Sequence, residues 1–354
     1  MIGSSRTDVR RLRPTMMITG RSSFVISSFG FAFLLTIYLS KNNATLRNIR
    51  FPIRSMSPAT SEVTNESRSR VVMAFRRHLD VRGGWPSNKP KAAVYFLVVV
   101  GRSPTNFYAA LDSLDRYFND RFRYPVIIFF EQQSPSPTNL TGTNSPVNVH
   151  KEIRARTRST VFFQEVSFAV PSYFCHSTIP KIRCGKNIGY RHMCRFQAKG
   201  VYEEAIMEGV EYVWRLDDDS FLLRPINYDV FQFMRSHRLV YGYNAILYDS
   251  CTEDLWPTAD RYLVSKNGTL TPTFYRDWRR GDVFYNNFEI SNVAFWTSAD
   301  YRDYICYIDR TGGIYKHRWG DAPVKTIAIT MFVQRNATHR FFDIGYKHQY
   351  FQNP

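Results

Sequence analysis

The stretch "AAVYFLVVV", Ala92 to Val100, constrains the fold more than any other part of the chain. A half-buried strand alternates apolar and polar residues. A near-continuous apolar run rich in Val reads instead as a strand covered on both faces of a sheet. "SPTNFYAALDSLDRYFND" follows, with Phe107, Ala110, Leu111, Leu114 and Phe118 at helical spacing and Ser103 available as a cap. "YPVIIFFE" is a second buried strand. Strand, helix, strand at this length implies a right-handed parallel crossover, and so an α/β domain with a parallel sheet. "HMCRFQAKGVYEEAIMEG" then reads as a helix and "VEYVWRL" as a third strand.

That third strand runs straight into three acids, Asp217, Asp218 and Asp219. Ligands of open α/β sheets bind at the carboxyl ends of strands, which is where these acids fall. Adjacent carboxylates repel one another, and a divalent cation would remove the repulsion. Their oxygens suit Mg²⁺ or Mn²⁺, which a substrate diphosphate would also ligate. Arg215, two residues upstream, suits phosphate oxygens. The alternative is an acidic turn capping a helix that starts near Ile226.

Charge and topology limit the partners. Of a net charge of +17, residues 1–91 hold 16 Lys/Arg against 4 Asp/Glu, leaving 31 against 26 for residues 92–354. The basic excess therefore sits mostly outside the expected domain, and no nucleic-acid partner is expected. "SSFVISSFGFAFLLTIYLS", Ser22 to Ser40, has no charge and is close to the ~20 residues that cross a bilayer. Arg6, Arg10, Arg11, Arg13 and Arg21 precede it, so the positive-inside rule leaves the N-terminus cytosolic and the remainder lumenal. A cleaved signal peptide is the rival reading, disfavoured because no small-x-small site closes the run. The expected organisation is a cytosolic tail over 1–21, a signal anchor over 22–40, a Ser-, Arg- and Pro-rich stem over 41–90 and a lumenal domain over 91–354. "VVMAFRRHL" in the stem could form a short amphipathic helix. Sequons at Asn43, Asn65, Asn139, Asn267 and Asn336 all fall on the lumenal side. Cys175, Cys184, Cys194, Cys251 and Cys306 match no zinc spacing and predict one or two disulfides with at least one free thiol.

Three further positions carry candidate chemistry. Glu289 is the one acid in "YNNFEISNVAFWTS", an apolar and amide setting in which a carboxylate is costly unless paired or used. Asp321 precedes Ala322 and Pro323 and reads as a helix N-cap, a position compatible with a place in an active site. His348, in "DIGYKHQYF", is alone, and a lone histidine is more often structural than a ligand.

From about Lys91 to Pro354 the chain resembles the fungal Golgi α-1,2-mannosyltransferases of glycosyltransferase family 15. The resemblance rests on "RFRYPVIIF", "GYRHMCRF", "YVWRLDDD", "NYDVFQFM", "NNFEISNVAFW", "DRTGGIYKHRWGDAPV" and "DIGYKHQYF", in the family's order. It implies a single-domain, GT-A-like nucleotide-sugar transferase fold with a mixed, mostly parallel sheet. It also implies a type II Golgi membrane protein, which agrees with the anchor above.

The activity implied is retaining transfer of mannose from GDP-mannose, with Mn²⁺, to a mannose-terminated glycan or glycolipid. On this chain the resemblance places the metal-binding acid at Asp217, joined by Asp219, and the metal-binding histidine at His348. It places the catalytic carboxylate at Glu289, the donor-site tyrosine and arginine at Tyr190 and Arg215, and a further acid of the cleft at Asp321. Glu289 would act either as a nucleophile in a double displacement or by stabilising an oxocarbenium-like state during front-face attack. The chain departs from the family's pattern at three places. Asp217-Asp218-Asp219 replaces Glu-Pro-Asp, Lys325 stands where a histidine is usual, and the segment from the acid cluster to Glu289 is shorter. Two other readings remain: a metal-dependent transferase using a different nucleotide sugar, and an inactive lumenal glycan-binding homologue.

Overall fold

The unbroken apolar run forms β1, Ala92–Val99, and it needs no polar face because its side chains from Ala92 to Phe96 are fully buried. β2, Val126–Glu131, pairs with it in parallel from Val94↔Val126 to Val99↔Glu131. β3, Val161–Val166, pairs in parallel with β2. β4, Tyr212–Leu216, lies parallel on the other side of β1, with Ala92↔Tyr212 and Tyr95↔Arg215 in register. The remaining strands are β5 (Ser220–Leu222), β6 (Tyr241–Tyr243), β7 (Ile246–Tyr248), β8 (Asp282–Phe284), β9 (Phe288–Asn292), β10 (Thr338–Arg340), β11 (Tyr346–His348) and β12 (Phe351–Asn353). This computed structural model describes residues 58–99, 105–131, 146–174 and 178–354. The segment Ser22–Ser40, the tail before it, residues 41–57, Ser103 and Cys175 lie outside that range. Among the described residues no helix is long and apolar enough to cross a membrane.

Seven strands make the main sheet, in the order β10-β6-β9-β4-β1-β2-β3. Four of its six pairings are parallel, and β9 is the exception, antiparallel to both β4 and β6. The sheet is therefore mixed and mostly parallel. A second sheet, β12-β11-β5, is antiparallel and begins where β4 ends. β7 and β8 form a separate two-stranded ribbon.

The helix Asp321–Phe332 has ten buried residues out of twelve. A helix apolar nearly all round belongs inside a core, and this one carries Asp321 and Lys325 in with it. Gly320, not Asp321, is its N-cap residue, so the expected cap is instead a first-turn residue with its carboxylate free for other partners. The helix Ile188–Ala198 is capped by Asn187, whose side chain accepts from the Tyr190 N–H. It is moored by Arg195, which donates two 2.8 Å hydrogen bonds to buried Asp309. The disulfide Cys184–Cys251 ties the loop before this helix to the loop after β7, while Cys194 and Cys306 are free thiols. The sequon residues Asn267 and Asn336 are exposed.

The domain begins earlier than the stem reading places it. Pro58–Pro354 forms one compact unit, opening with a 21-residue helix, Pro58–His78. Val72, Phe75, Leu79 and Trp85 from this region lie in the same hydrophobic core as β3. Phe75 packs edge-on to Phe162, ring centroids 5.0 Å apart. The short amphipathic helix expected in "VVMAFRRHL" is the end of this longer one, and the core requires it.

Phe75→Ala therefore costs about 3–5 kcal/mol of stability, the usual range for a buried aromatic. Urea denaturation should show a lower midpoint at unchanged slope. A midpoint equal to that of the wild type would place the helix outside the domain.

Candidate active site

β4 delivers Arg215 and Asp217 to the carboxyl edge of the main sheet, and a tight turn then reverses the chain into β5. The turn is closed by the Ser220 N–H on the Asp217 carbonyl at 3.0 Å and by the Asp217 N–H on Ser220 Oγ at 3.1 Å. Ser220 Oγ also meets the Tyr346 hydroxyl at 2.7 Å. The helix that an acidic cap would have served starts instead at Val230 and is capped by Asp229, so the three acids cap nothing there.

β11 pairs with β5 and sets His348 opposite Ser220. This register, not proximity in sequence, brings the histidine to the acids. His348 Nε2 lies 2.7 Å from Asp219 Oδ1 and 3.8 Å from Asp217 Oδ2. Its Nδ1 meets the Tyr285 hydroxyl. Ligand atoms of Asp217, Asp219 and His348 all lie within 4.8 Å of one another. Burial works against the charged form of Asp219, but the hydrogen bond and charge of His348 outweigh it and hold its carboxyl below the ordinary range. Two carboxylates and an imidazole held at its far nitrogen form a donor set suited to a divalent transition metal.

Arg215 does not present itself to a phosphate. It is 2% exposed, and both ends of its guanidinium are engaged. Nε and Nη2 donate to Asp217 Oδ1 at 3.1 and 3.0 Å, and Nη1 donates to Asp321 Oδ2. Burial opposes its charge, yet Asp217 and Asp321 outweigh burial and keep it firmly protonated. Asp321 accepts a second hydrogen bond from Asn286 Nδ2 at 2.8 Å. Burial raises its pKa, but the charge and hydrogen bond of Arg215, with Lys325 and Asn286, together outweigh burial, and the carboxyl rests below its ordinary value. Asn287 Nδ2 closes the other side of Asp217 at Oδ2.

Glu289 is likewise not presented as a nucleophile. It is 0% exposed, on β9, directly opposite Arg215 of β4 in the register. Oε1 accepts from Lys325 Nζ at 2.5 Å, Tyr202 at 3.1 Å and Ser291 at 3.3 Å, and Oε2 accepts from Tyr241 at 3.1 Å. Four donors on one buried carboxylate answer the question its sequence context raises: the charge is paired.

Tyr190 lies on the helix Ile188–Ala198, half-buried, with Arg318 stacked on its ring at 4.9 Å and donating to its hydroxyl at 3.1 Å. Arg318 also donates to both Asp249 oxygens, at 3.2 and 3.1 Å. Its backbone is left-handed at φ 64°, uncommon for a residue other than glycine. Its Nε is buried with no partner among the described residues. Sequence reasoning passed over Arg318, since an arginine inside "HRWGDAPV" carries no signal of where its side chain points.

The fold places the chain among the glycosyltransferases. The mannosyltransferase Ktr4p from Saccharomyces cerevisiae, solved in complex with GDP, is 25% identical with a TM-score of 0.66 over 82% of each chain. Core-mannan synthase A from Aspergillus fumigatus, solved in an Mn/GDP form, shares the fold at 24% identity and a TM-score of 0.66, over 75% of this chain and 76% of its own. The family described as Glycolipid 2-alpha-mannosyltransferase matches residues 54–354, and the chain belongs to it. Glycolipid 2-alpha-mannosyltransferase 1 of Candida albicans is 36% identical over 49% of this chain and 42% of its own length. Alpha-1,2 mannosyltransferase KTR1 of Saccharomyces cerevisiae is 27% identical over 72% of this chain and 68% of its own. The chain thus spans about two fifths of the Candida relative and two thirds of KTR1.

Tyr285→Phe removes only the hydroxyl that orients His348. Calorimetric titration with Mn²⁺ should show affinity lowered about 10- to 100-fold, as for the loss of other outer-sphere partners of a ligating histidine. Unchanged affinity would mean that His348 is not a ligand.

Proposed function

We propose that the chain is a retaining α-1,2-mannosyltransferase moving mannose from GDP-mannose to a mannose-terminated glycan or glycolipid. The observation that carries the reading is the meeting of Asp217 and Asp219 with His348 at the carboxyl edge of β4, where an open sheet receives its ligand. Family membership supports the sugar and the linkage. The GDP complex of Ktr4p and the Mn/GDP form of core-mannan synthase A support the donor and the metal. Mn²⁺ held by Asp217, Asp219 and His348 would supply positive charge to a departing diphosphate.

The residues around the cluster divide the remaining work. Arg215 holds Asp217 Oδ1 and so aims that carboxylate. Tyr190 and Arg318 line the donor side, with Arg318 held by Asp249 and the Tyr190 hydroxyl. Because Glu289 is enclosed and carries four donors, we assign it positioning and favour front-face attack over a covalent sugar–enzyme intermediate. In that reaction the bond from the anomeric carbon to the GDP oxygen breaks. The acceptor 2-hydroxyl oxygen bonds to the same face of that carbon, and its proton passes to the departing phosphate oxygen. The segment Ser22–Ser40 would anchor the chain as a type II protein with this domain in the Golgi lumen. The Cys184–Cys251 disulfide and the exposed sequon residues Asn267 and Asn336 support an oxidising, glycosylating compartment.

The full-length protein in detergent, given GDP-mannose and α-methyl-mannoside, should release GDP and form an α-1,2-linked disaccharide with Mn²⁺, and neither with EDTA. A β-linked product, turnover in EDTA, or release of UDP from a UDP-sugar in place of GDP would overturn the reading.

A further inference from the structure

Four buried charges, on a helix and on two strands, alternate in sign at the corners of a square, two opposite sides of which are ion pairs. Asp321 and Lys325 are one turn apart on the helix Asp321–Phe332, so they lie on one face of it. Arg215 and Glu289 are directly opposite on β4 and β9, so they also share a face. Between the two layers Arg215 pairs with Asp321, and Lys325 pairs with Glu289. Each charge therefore has two neighbours of opposite sign and, diagonally, one of its own. Lys325 and Glu289 are 0% exposed. The Lys325 ammonium also donates to Tyr202 at 2.7 Å and lies 4.3 Å from the centre of the Trp296 ring. The square sums to zero, and among the described residues the one charge attached outside it is Asp217, held on the outer edge of Arg215.

We infer that Lys325 is a positioning residue for the metal cluster: through Glu289 and Arg215 it fixes the carboxylate of Asp217. The inference rests on the reading that Asp217, Asp219 and His348 hold Mn²⁺. Lys325 makes no bond to any of those three, so its effect on them is transmitted, not direct. An isolated buried pair would only join the helix to β9. A square constrains more, because Arg215 has one guanidinium to share between Asp321 and Asp217. Losing the Lys325–Glu289 side leaves Glu289 as an uncompensated anion next to Arg215. The guanidinium is then drawn toward Glu289 and away from Asp217, and the cluster loses its aim. Replacing a buried pair by neutral groups of similar size leaves stability little changed and leaves no stray anion to displace Arg215.

The test is a Mn²⁺ titration by calorimetry on the full-length protein, with thermal melting and kinetics on the same samples. The single variant K325M, which leaves Glu289 uncompensated, should bind Mn²⁺ at least tenfold more weakly and lose kcat more than it raises the KM for GDP-mannose. The neutral double variant K325M/E289Q, which removes the stray anion, should melt near the wild type and bind Mn²⁺ within about threefold of it. Wild-type Mn²⁺ affinity in K325M, or no recovery of affinity in K325M/E289Q, would overturn the inference and leave the proposed function standing. The exchanged variant K325E/E289K keeps a pair but puts like charges beside Asp321 and Arg215, so the square predicts no recovery. Recovery to wild-type affinity would reduce the square to a simple pair and overturn the inference. Should neither double variant fold, K325R keeps the charge at the same place. Affinity within about threefold of the wild type supports the square, and a tenfold loss contradicts it. A wild-type protein that binds no Mn²⁺ overturns both this inference and the function it rests on.

Discussion

The site depends on a guanidinium that never reaches solvent. Arg215 sits at the end of a strand buried on both faces, and a charge taken out of water there is tolerated only if it is paired and hydrogen-bonded. It meets that condition with two carboxylates from different parts of the chain, Asp217 two residues on and Asp321 at the start of a buried helix. The strand, the turn and the helix are thereby held to one another, and Asp217 is left with a fixed orientation. Buried ion pairs add little net stability, because desolvation consumes most of the Coulomb gain. Their value here is geometric: one arrangement satisfies all the partners.

The second constraint is the pairing of β5 with β11. A three-residue strand after the acid turn contributes little by itself, but its register decides which residue faces the turn. A slip of one position would bring Lys347 or Gln349 into the place of His348 and send the imidazole to the other face. Tyr285 then fixes the ring from behind. The metal-capable cluster is thus assembled from two sheets, with the main sheet supplying the acids and the small one the histidine.

Much of the scaffold was legible in the sequence, for physical reasons that differ by element. β1, β2 and β4 announce themselves because a strand buried on both faces needs an unbroken apolar run. The acids at the end of β4 were legible because strand ends in open sheets have a known use. β3, with Gln164 and Glu165 near its end, lacks such a run, and of the helix Pro58–His78 only the amphipathic end from Val71 stands out from a polar composition. The burial and pairing of Arg215 and Glu289 were not legible, for a different reason. An arginine near acids looks like a phosphate ligand, and an isolated glutamate looks like a nucleophile, when burial is unknown. Burial of both follows from β9 pairing antiparallel with β4, a contact between segments some seventy residues apart. Lys325, noticed only as a departure from the family's pattern, gains its meaning from the same pairing.

The central claim is that the acid turn and His348 form one metal-binding centre facing the donor diphosphate. Crystals grown with Mn²⁺ and GDP, measured at the manganese absorption edge, test it most directly. The account predicts a single strong anomalous peak bonded to Asp217, Asp219 and His348 Nε2, with GDP phosphate oxygens on its open side and Arg215 still beneath Asp217. Ordered GDP with no anomalous peak at this cluster, or with the peak ligated by other residues, would contradict it.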